Sequence, residues 1–159
     1  MKIGILGCAG RMGQMLVHEV LKTDGCTLAG GTEQPENSSI GKDVAGLSGG
    51  EAAGVLVTDD AEYLIKNSDT VIDFTRPEAT LAHAQIAAES GTILIIGTTG
   101  LNEVQQLVLE RAAETTTIVQ AANMSVGVNV LLGLTRQAAS ILGDDYDIEV
   151  VEMHHRHKV

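Results

Sequence analysis

The sequence predicts an α/β fold: an open, doubly wound, mostly parallel sheet with helices on both of its faces. Three observations carry this. Short apolar runs alternate with stretches of helical period along the whole chain, the order that builds parallel sheets through right-handed crossovers. The run at residues 92–96, Thr-Ile-Leu-Ile-Ile, is apolar without alternation, as a parallel strand covered on both faces should be. The first run, residues 2–6, leads straight into Gly7, Cys8, Ala9, Gly10, Arg11, Met12 and Gly13, a glycine-spaced turn between a strand and a helix.

That turn organises the chain. Met12, Leu16, Val17, Val20 and Leu21 recur behind it at helical spacing. Glycines let a backbone bend with positive φ and approach a pyrophosphate, and the amides and dipole of the following helix meet the phosphate charge. The spacing is Gly-x-x-Gly-x-x-Gly, with Ala9 where a second glycine is usual, so one methyl crowds the approach. A second strand over residues 27–31 ends near Glu33, at the place where a Rossmann-like fold puts an acid for ribose hydroxyls. The sequence therefore reads as a Rossmann-like dinucleotide-binding domain over residues 1–153, with residues 154–159 opening a further segment.

The remaining elements follow in order. Residues 34–54 hold Pro35 and glycines at 41, 46, 49, 50 and 54, a loop excursion with room for a short helical turn at the adenosine end of a cofactor. Residues 55–57 are a strand candidate, and Thr58 is the expected start of a helix through residues 61–65. Residues 70–75 make a strand, and Pro77 opens a helix that turns Leu81, Ala84, Ala87 and Ala88 to the sheet and ends at Gly91. His83 in that helix is expected at the surface, with no partner on its face. Residues 102–115 are helical with Val104, Leu107, Val108 and Ala112 as the buried stripe, and residues 117–121 form a strand. A long helix over 126–142 and a last strand over 147–152 complete the alternation. The polar segments at Thr75 and Arg76, at 97–100, at 121–125 and at 154–158 all directly follow strands, where such sheets bind ligands.

Composition bounds the function. The 159 residues allow one domain that buries about 68–70% of its unfolded surface. With 44% hydrophobic residues the chain is globular, and with 2% aromatics its core must be aliphatic. A net charge of −11 argues against nonspecific nucleic-acid or anionic-membrane binding. No export signal is read and nothing is read as approaching the roughly 18 apolar residues of a membrane span, so Cys8 and Cys26 are expected as free thiols in a cytoplasmic protein. A redox role for Cys8 is set aside on the same grounds.

Against this acidic background His154, His155, Arg156, His157 and Lys158 form a basic cluster. A solvated tail is one reading. A metal site is another, but the three histidines crowd each other and no thiol or carboxylate completes a set, so no metal is expected. The third is an anion-binding and proton-transfer site beside a nicotinamide, since histidine and lysine carry charge and exchange protons.

Together, residues 7–13, Asp-Phe-Thr-Arg-Pro at 73–77, Ile-Gly-Thr-Thr-Gly at 96–100, Ala-Ala-Asn-Met-Ser-Val-Gly-Val-Asn at 121–129 and Glu-Met-His-His-Arg-His-Lys at 152–158 resemble the bacterial 4-hydroxy-tetrahydrodipicolinate reductases (dihydrodipicolinate reductases) along the whole chain. The resemblance implies reduction of a cyclic dicarboxylate imine by NADH or NADPH, a step toward diaminopimelate and lysine. It implies that Gly7, Cys8, Ala9, Gly10, Arg11 and Met12 hold the pyrophosphate, with Glu33 and Gln34 at the adenosine ribose. Gly97, Thr98, Thr99, Ala121, Ala122, Asn123 and Met124 would surround the nicotinamide. His154 would exchange a proton, His155 touch substrate and Lys158 donate a proton. Many members carry an arginine after the ribose-binding acid. Gln34 stands there, so NADH is expected to be preferred over NADPH, with Lys42 a partial substitute. The family continues into a second domain carrying substrate contacts and a homotetramer interface. These 159 residues are therefore expected to bind cofactor, turn over weakly or not at all, and remain monomeric or weakly dimeric. A nucleotide-sensing module without chemistry, and a dehydrogenase of the aspartate or homoserine type, are the competing readings; neither needs the basic cluster.

Overall fold

A computed structural model describes residues 1–153. The chain divides into two compact units, Met1–Ala122 and Asn123–Val159. The dinucleotide-binding domain expected over residues 1–153 therefore spans both.

The first unit is a six-stranded sheet of β1 (Lys2–Leu6), β2 (Thr27–Thr32), β3 (Val57–Thr58), β4 (Thr70–Asp73), β5 (Ile93–Ile96) and β6 (Ile118–Gln120). Its order is β3-β2-β1-β4-β5-β6, and every pair is parallel. Strand order reverses beside β1, which places a crevice at its carboxyl end. Four helices belong to this unit: α1 (Arg11–Lys22), α2 (Ala61–Lys66), α3 (Pro77–Ser90) and α4 (Glu103–Ala112).

Alternation along β1 sends its neighbouring side chains to opposite faces. Leu6 joins Leu64, Ile65, Val71, Ala84, Leu94, Ile96 and Leu109 in a core under α2, α3 and α4. Ile5 joins Cys8, Val17, Val20, Val44 and Val57 under α1 and the loop excursion. Leu64 lies flat on the sheet because Gly4 and Gly30 have no side chain there. A Cβ would stand 2.9 Å from Leu64 Cγ at Gly4 and 2.7 Å from Leu64 Cδ1 at Gly30.

Local signals set the element ends. Asn102 and Gln105 form a reciprocal capping box at the start of α4, each bond 2.9 Å. Pro77 opens α3, and Gly91 closes it at φ 73°. The cap of α2 is Asp60, whose carboxylate accepts from the Tyr63 N–H at 2.8 Å. Thr58, expected in that role, belongs to β3 instead. The excursion carries a 3-10 turn over Ala45–Ser48. It is organised by Asp43, whose carboxylate accepts from the amides of Ala45, Gly46, Ala53 and Gly54 at 2.8–3.1 Å. These bonds, that from Ala53 first, outweigh desolvation and hold the Asp43 carboxyl below its ordinary value.

Other expectations need correction. The buried face of α4 is Leu109 and Ala112; Val104, Leu107 and Val108 are exposed. The helix joins the core through Leu109 and Ala112, which a count of apolar residues alone does not reveal. In β5, Leu94 and Ile96 are buried whereas Ile93 and Ile95 are only half-buried. His83 is buried, not at the surface.

In the second unit, α5 (Val126–Leu142) matches the expected helix and is capped by Ser125 on the Val128 N–H. Asn129 Nδ2 donates to the carbonyls of Asn123 and Ser125 at 2.9 and 2.8 Å, which fixes the turn leading in. The segment Val126–Asp145 reaches a mean hydropathy of 1.2 and is by length and composition alone able to cross a membrane. The expectation that nothing approaches such a length needs correction here: Asn129, Thr135, Arg136 and Gln137 interrupt the apolar residues without lowering their mean below that level. No strand forms over residues 147–152; the sequence has strand character, but a strand exists only where a neighbour completes its ladder, and no such pairing occurs among the described residues.

Candidate functional site

The turn after β1 is built as the glycine spacing requires. Gly7 has φ +80°, and a Cβ there would sit 3.1 Å from Thr75 Cγ2 and 3.2 Å from the Phe74 carbonyl. At Gly13 a Cβ would fall 2.1 Å from the Gly7 carbonyl oxygen, so the third glycine lets α1 lie against the turn. Gly10 is the N-cap of α1 and offers no side chain, and no acid occupies the first helical turn. The start of this helix thus carries no side-chain cap and no negative charge that would oppose an anion.

The turn is tied to β2 at several points. The amides of Gly7 and Cys8 both donate to the Thr32 carbonyl, at 2.8 and 3.1 Å. Glu33 Oε1 accepts from the Ala9 N–H at 2.8 Å, and Oε2 accepts from Asn37 Nδ2 at 3.2 Å. Gln14 Nε2 holds the Ala9 carbonyl at 2.8 Å. The acid assigned to ribose binding is therefore fixed directly against the turn assigned to phosphate binding. The Cys8 side chain faces inward; a Cβ on Gly31 would meet its Sγ at 2.7 Å. Burial, then the Glu33 charge, push the thiol up to about 12 against a smaller backbone hydrogen bond. Cys8 is fully buried and its N–H is bonded to the Thr32 carbonyl, and the thiol is not a nucleophile.

A cavity of about 400 Å³ spans the carboxyl ends of β1, β2 and β4. Gly7, Gly10, Glu33 and Gln34 line it, as do Pro35, Asp59, Phe74, Thr75, Arg76 and His83. Arg11, Met12 and Lys42 do not, although Arg11 and Met12 are exposed at the adjoining start of α1. A second cavity of about 240 Å³ opens at the ends of β5 and β6, lined by Thr98, Thr99, Gly100, Gln106, Gln120, Ala121 and Ala122. Gln106 and Gln120 exchange amide hydrogen bonds of 2.7 and 3.2 Å across it. Gly97 lies where a Cβ would stand 2.1 Å from the Phe74 ring, so only glycine fits.

Between the cavities lies a buried polar cluster that the sequence reading missed. Asp73, at the end of β4, is fully buried. Its Oδ1 accepts from the Thr75 hydroxyl at 2.6 Å, the Thr75 N–H at 2.9 Å and the Thr98 hydroxyl at 3.3 Å. Its Oδ2 lies 2.8 Å from His83 Nδ1, and Thr80 donates to Thr98 at 2.9 Å. Burial acts to raise the Asp73 carboxyl, but the hydrogen bond and charge of His83 and the bonds from Thr75 outweigh it, and the value is lowered. The Thr98 side chain is thereby committed inside the fold. Thr80 and His83 are one helical turn apart, on the face of α3 that also carries Ala84 and Ala87, but the partner that buries His83 lies on β4.

Of the expected nicotinamide-side residues, Gly97, Thr98, Thr99, Ala121 and Ala122 come together in the first unit, whereas Asn123 and Met124 belong to the second. His154, His155 and Lys158 lie outside the described residues. Among the described residues no cluster of three metal-ligating side chains occurs.

Strand order, an uncapped glycine-turn helix and an acid wired to that turn define a Rossmann-type dinucleotide-binding fold. Residues 1–124 match the family model described as dihydrodipicolinate reductase, N-terminus, and residues 127–159 that described as dihydrodipicolinate reductase, C-terminus. The chain belongs to the dihydrodipicolinate reductase family. It is 48% identical over 157 residues to a 4-hydroxy-tetrahydrodipicolinate reductase of Ruegeria sp. (strain TM1040), covering 99% of this chain and 58% of that one. It is 49% identical over 159 residues to that of Ralstonia nicotianae, covering 100% and 60%. The chain thus spans about three-fifths of the length of these relatives. The fold matches a solved dipicolinate-bound dihydrodipicolinate reductase from Paenisporosarcina sp. TG-14, with a TM-score of 0.72 at 23% identity over 88% of this chain and 54% of that one.

Proposed function

We propose that this chain is the cofactor-binding part of an NAD(P)H-dependent 4-hydroxy-tetrahydrodipicolinate reductase, acting on a small cyclic dicarboxylate imine in diaminopimelate and lysine biosynthesis. One observation carries the reading: Glu33 is held on the glycine turn by the Ala9 N–H, inside the cavity that the turn itself lines. Relatives named as this reductase along the whole chain support the substrate class.

The residues fit a dinucleotide. The close approach of α1 to the turn at Gly13 and the absence of an acid in its first turn suit a pyrophosphate, and Glu33 offers acceptor atoms to ribose hydroxyls. Thr99, Ala121 and Ala122, which line the second cavity, would hold the nicotinamide end with Gly97 beside them in the chain. The cofactor supplies hydride. The protein's part is to hold the ring in place and to exclude water. His154 as proton-exchanging group, His155 as substrate contact and Lys158 as proton donor remain assignments from the motif at 152–158.

Gln34 lines the cavity beside Glu33 and carries no charge for a 2′-phosphate, so NADH is the proposed preferred cofactor. Titration of NADH and NADPH into the 159 residues tests the proposal. Saturable binding with a smaller Kd for NADH is expected. Absence of binding refutes the dinucleotide reading, and equal constants refute the preference. Turnover of the imine is expected to be weak for these residues alone.

A further inference from the structure

Ala9, in the glycine turn, has both of its backbone polar groups bound by side chains. Its N–H donates to Glu33 Oε1 at 2.8 Å, and its carbonyl accepts from Gln14 Nε2 at 2.8 Å. Gln14 lies one helical turn beyond Gly10, and its own N–H donates to the Gly10 carbonyl at 3.0 Å. Helical side chains lean toward the start of their helix, so the half-buried Gln14 reaches back along α1 to the turn. Gly7 and Gly10 line the larger cavity, whereas Ala9 and Gln14 do not. Gln14 therefore meets the backbone of the turn and not the cavity.

The peptide that Gln14 holds joins Ala9 to Gly10. Its other tie is the Gly10 N–H, which donates to the Gly7 carbonyl at 3.2 Å, the long end of the usual range. Gly10 has φ −67°, but with no Cβ it also tolerates positive φ, so its side of the peptide opposes a flip only weakly. The orientation matters for charge. A carbonyl oxygen carries partial negative charge, and one swung toward the cavity would repel phosphate oxygens. Bound to Gln14, the Ala9 carbonyl is kept on the helix side.

We propose that Gln14 is a positioning residue for the pyrophosphate: by holding the Ala9 carbonyl it keeps the 9–10 peptide from turning its oxygen toward the phosphates. The proposal rests on the dinucleotide reading above. Gln14 gives no group to the ligand and acts through Ala9. Its influence falls on the phosphates, the only charged groups that the turn meets. Adenosine, which carries no charge, should bind without regard to it.

Gln14→Met keeps the length of the side chain and removes its donor. NADH is titrated into this chain by cofactor fluorescence, and ADP and adenosine by the shifts of backbone amide resonances. Gln14→Met is expected to raise the Kd of NADH and of ADP about tenfold, the size of one hydrogen bond lost. The Kd of adenosine should stay within about twofold, so that the advantage of ADP over adenosine shrinks. Equal weakening of all three ligands means a general deformation of the site and overturns the proposal. Unchanged Kd values for NADH and ADP overturn it as well. If wild type binds neither NADH nor ADP, the dinucleotide reading falls and the proposal with it.

A second measurement, on wild type alone, covers a variant that does not fold or adenosine that binds too weakly to titrate. With ¹⁵N-labelled glutamine, a side-chain amide proton of Gln14 should exchange with water more slowly than those of the exposed Gln137. The protection should persist when NADH is bound. An unprotected Gln14 amide, or protection lost on NADH binding, overturns the assignment while leaving the dinucleotide reading intact.

Discussion

Glu33 holds the turn that the proposed cofactor would meet. Its Oε1 accepts from the Ala9 N–H and Oε2 from Asn37. Glu33→Gln weakens acceptance of ribose hydroxyls and should raise the NADH Kd by about ten- to a hundredfold, the range for a hydrogen bond to a charged group. Gln34→Arg adds a planar cation beside it and should move the NADPH-to-NADH affinity ratio by about tenfold toward NADPH. Fluorescence titration of both cofactors reads either change. Asp43 gives the pH-dependent case. Four amides bond its carboxylate, and its native value is depressed. Its contribution is complete above the unfolded-state value of about 3.9 and is lost as pH falls through the lower native value. Amide exchange at Ala45, Gly46, Ala53 and Gly54 should therefore accelerate in that acid window, and at neutral pH in Asp43→Ala. His83 was misplaced at this scale because its partner, Asp73, lies on a different element.

Elements were legible where their signals are local. Pro77 and Gly91 bracket α3, and Asn102 with Gln105 opens α4. The α4 stripe was misjudged because hydrophobicity names candidates for burial but not the neighbour that buries them. Capping predicts a measurable cost. Asp60→Ala removes the acceptor for the Tyr63 N–H and should destabilise the fold by about 1 kcal/mol, seen as a lower denaturation midpoint with an unchanged m value. Gly13→Ala is more severe. Its Cβ would stand 2.1 Å from the Gly7 carbonyl oxygen, a backbone atom that cannot step aside. Displacing α1 should cost about 1–3 kcal/mol and abolish saturable NADH binding, since it moves the turn proposed to hold the pyrophosphate.

At the scale of the molecule, the six parallel strands of the first unit carry two cores, one on each face. Each fully buried Leu or Ile contributes about 1.5–3 kcal/mol, and Leu6, Leu94 and Ile96 concentrate this beneath β1, β4 and β5. The three strands are expected to exchange amide protons last and together in native-state hydrogen exchange, with the excursion at residues 34–54 opening earlier. The two cavities share the end of the sheet where the crossovers enter helices, and the Asp73 cluster joins their walls through Thr75 and Thr98. Asp73→Asn should therefore disturb both halves of dinucleotide binding, which separate titrations of ADP and NADH would show.

The sequence by itself determined the alternation of strands and helices, the glycine turn with its acid after β2, and membership of a family whose motifs run the length of the chain. Each is local: a period of 2 or 3.6, a position that excludes a side chain, a short word in fixed order. Only the tertiary structure decided the strand order β3-β2-β1-β4-β5-β6, the tie between Ala9 and Glu33, the true face of α4 and the burial of His83 on Asp73. Those depend on which distant segments meet. A buried polar group is placed by the partner that satisfies it, and the chain brings that partner close only by folding.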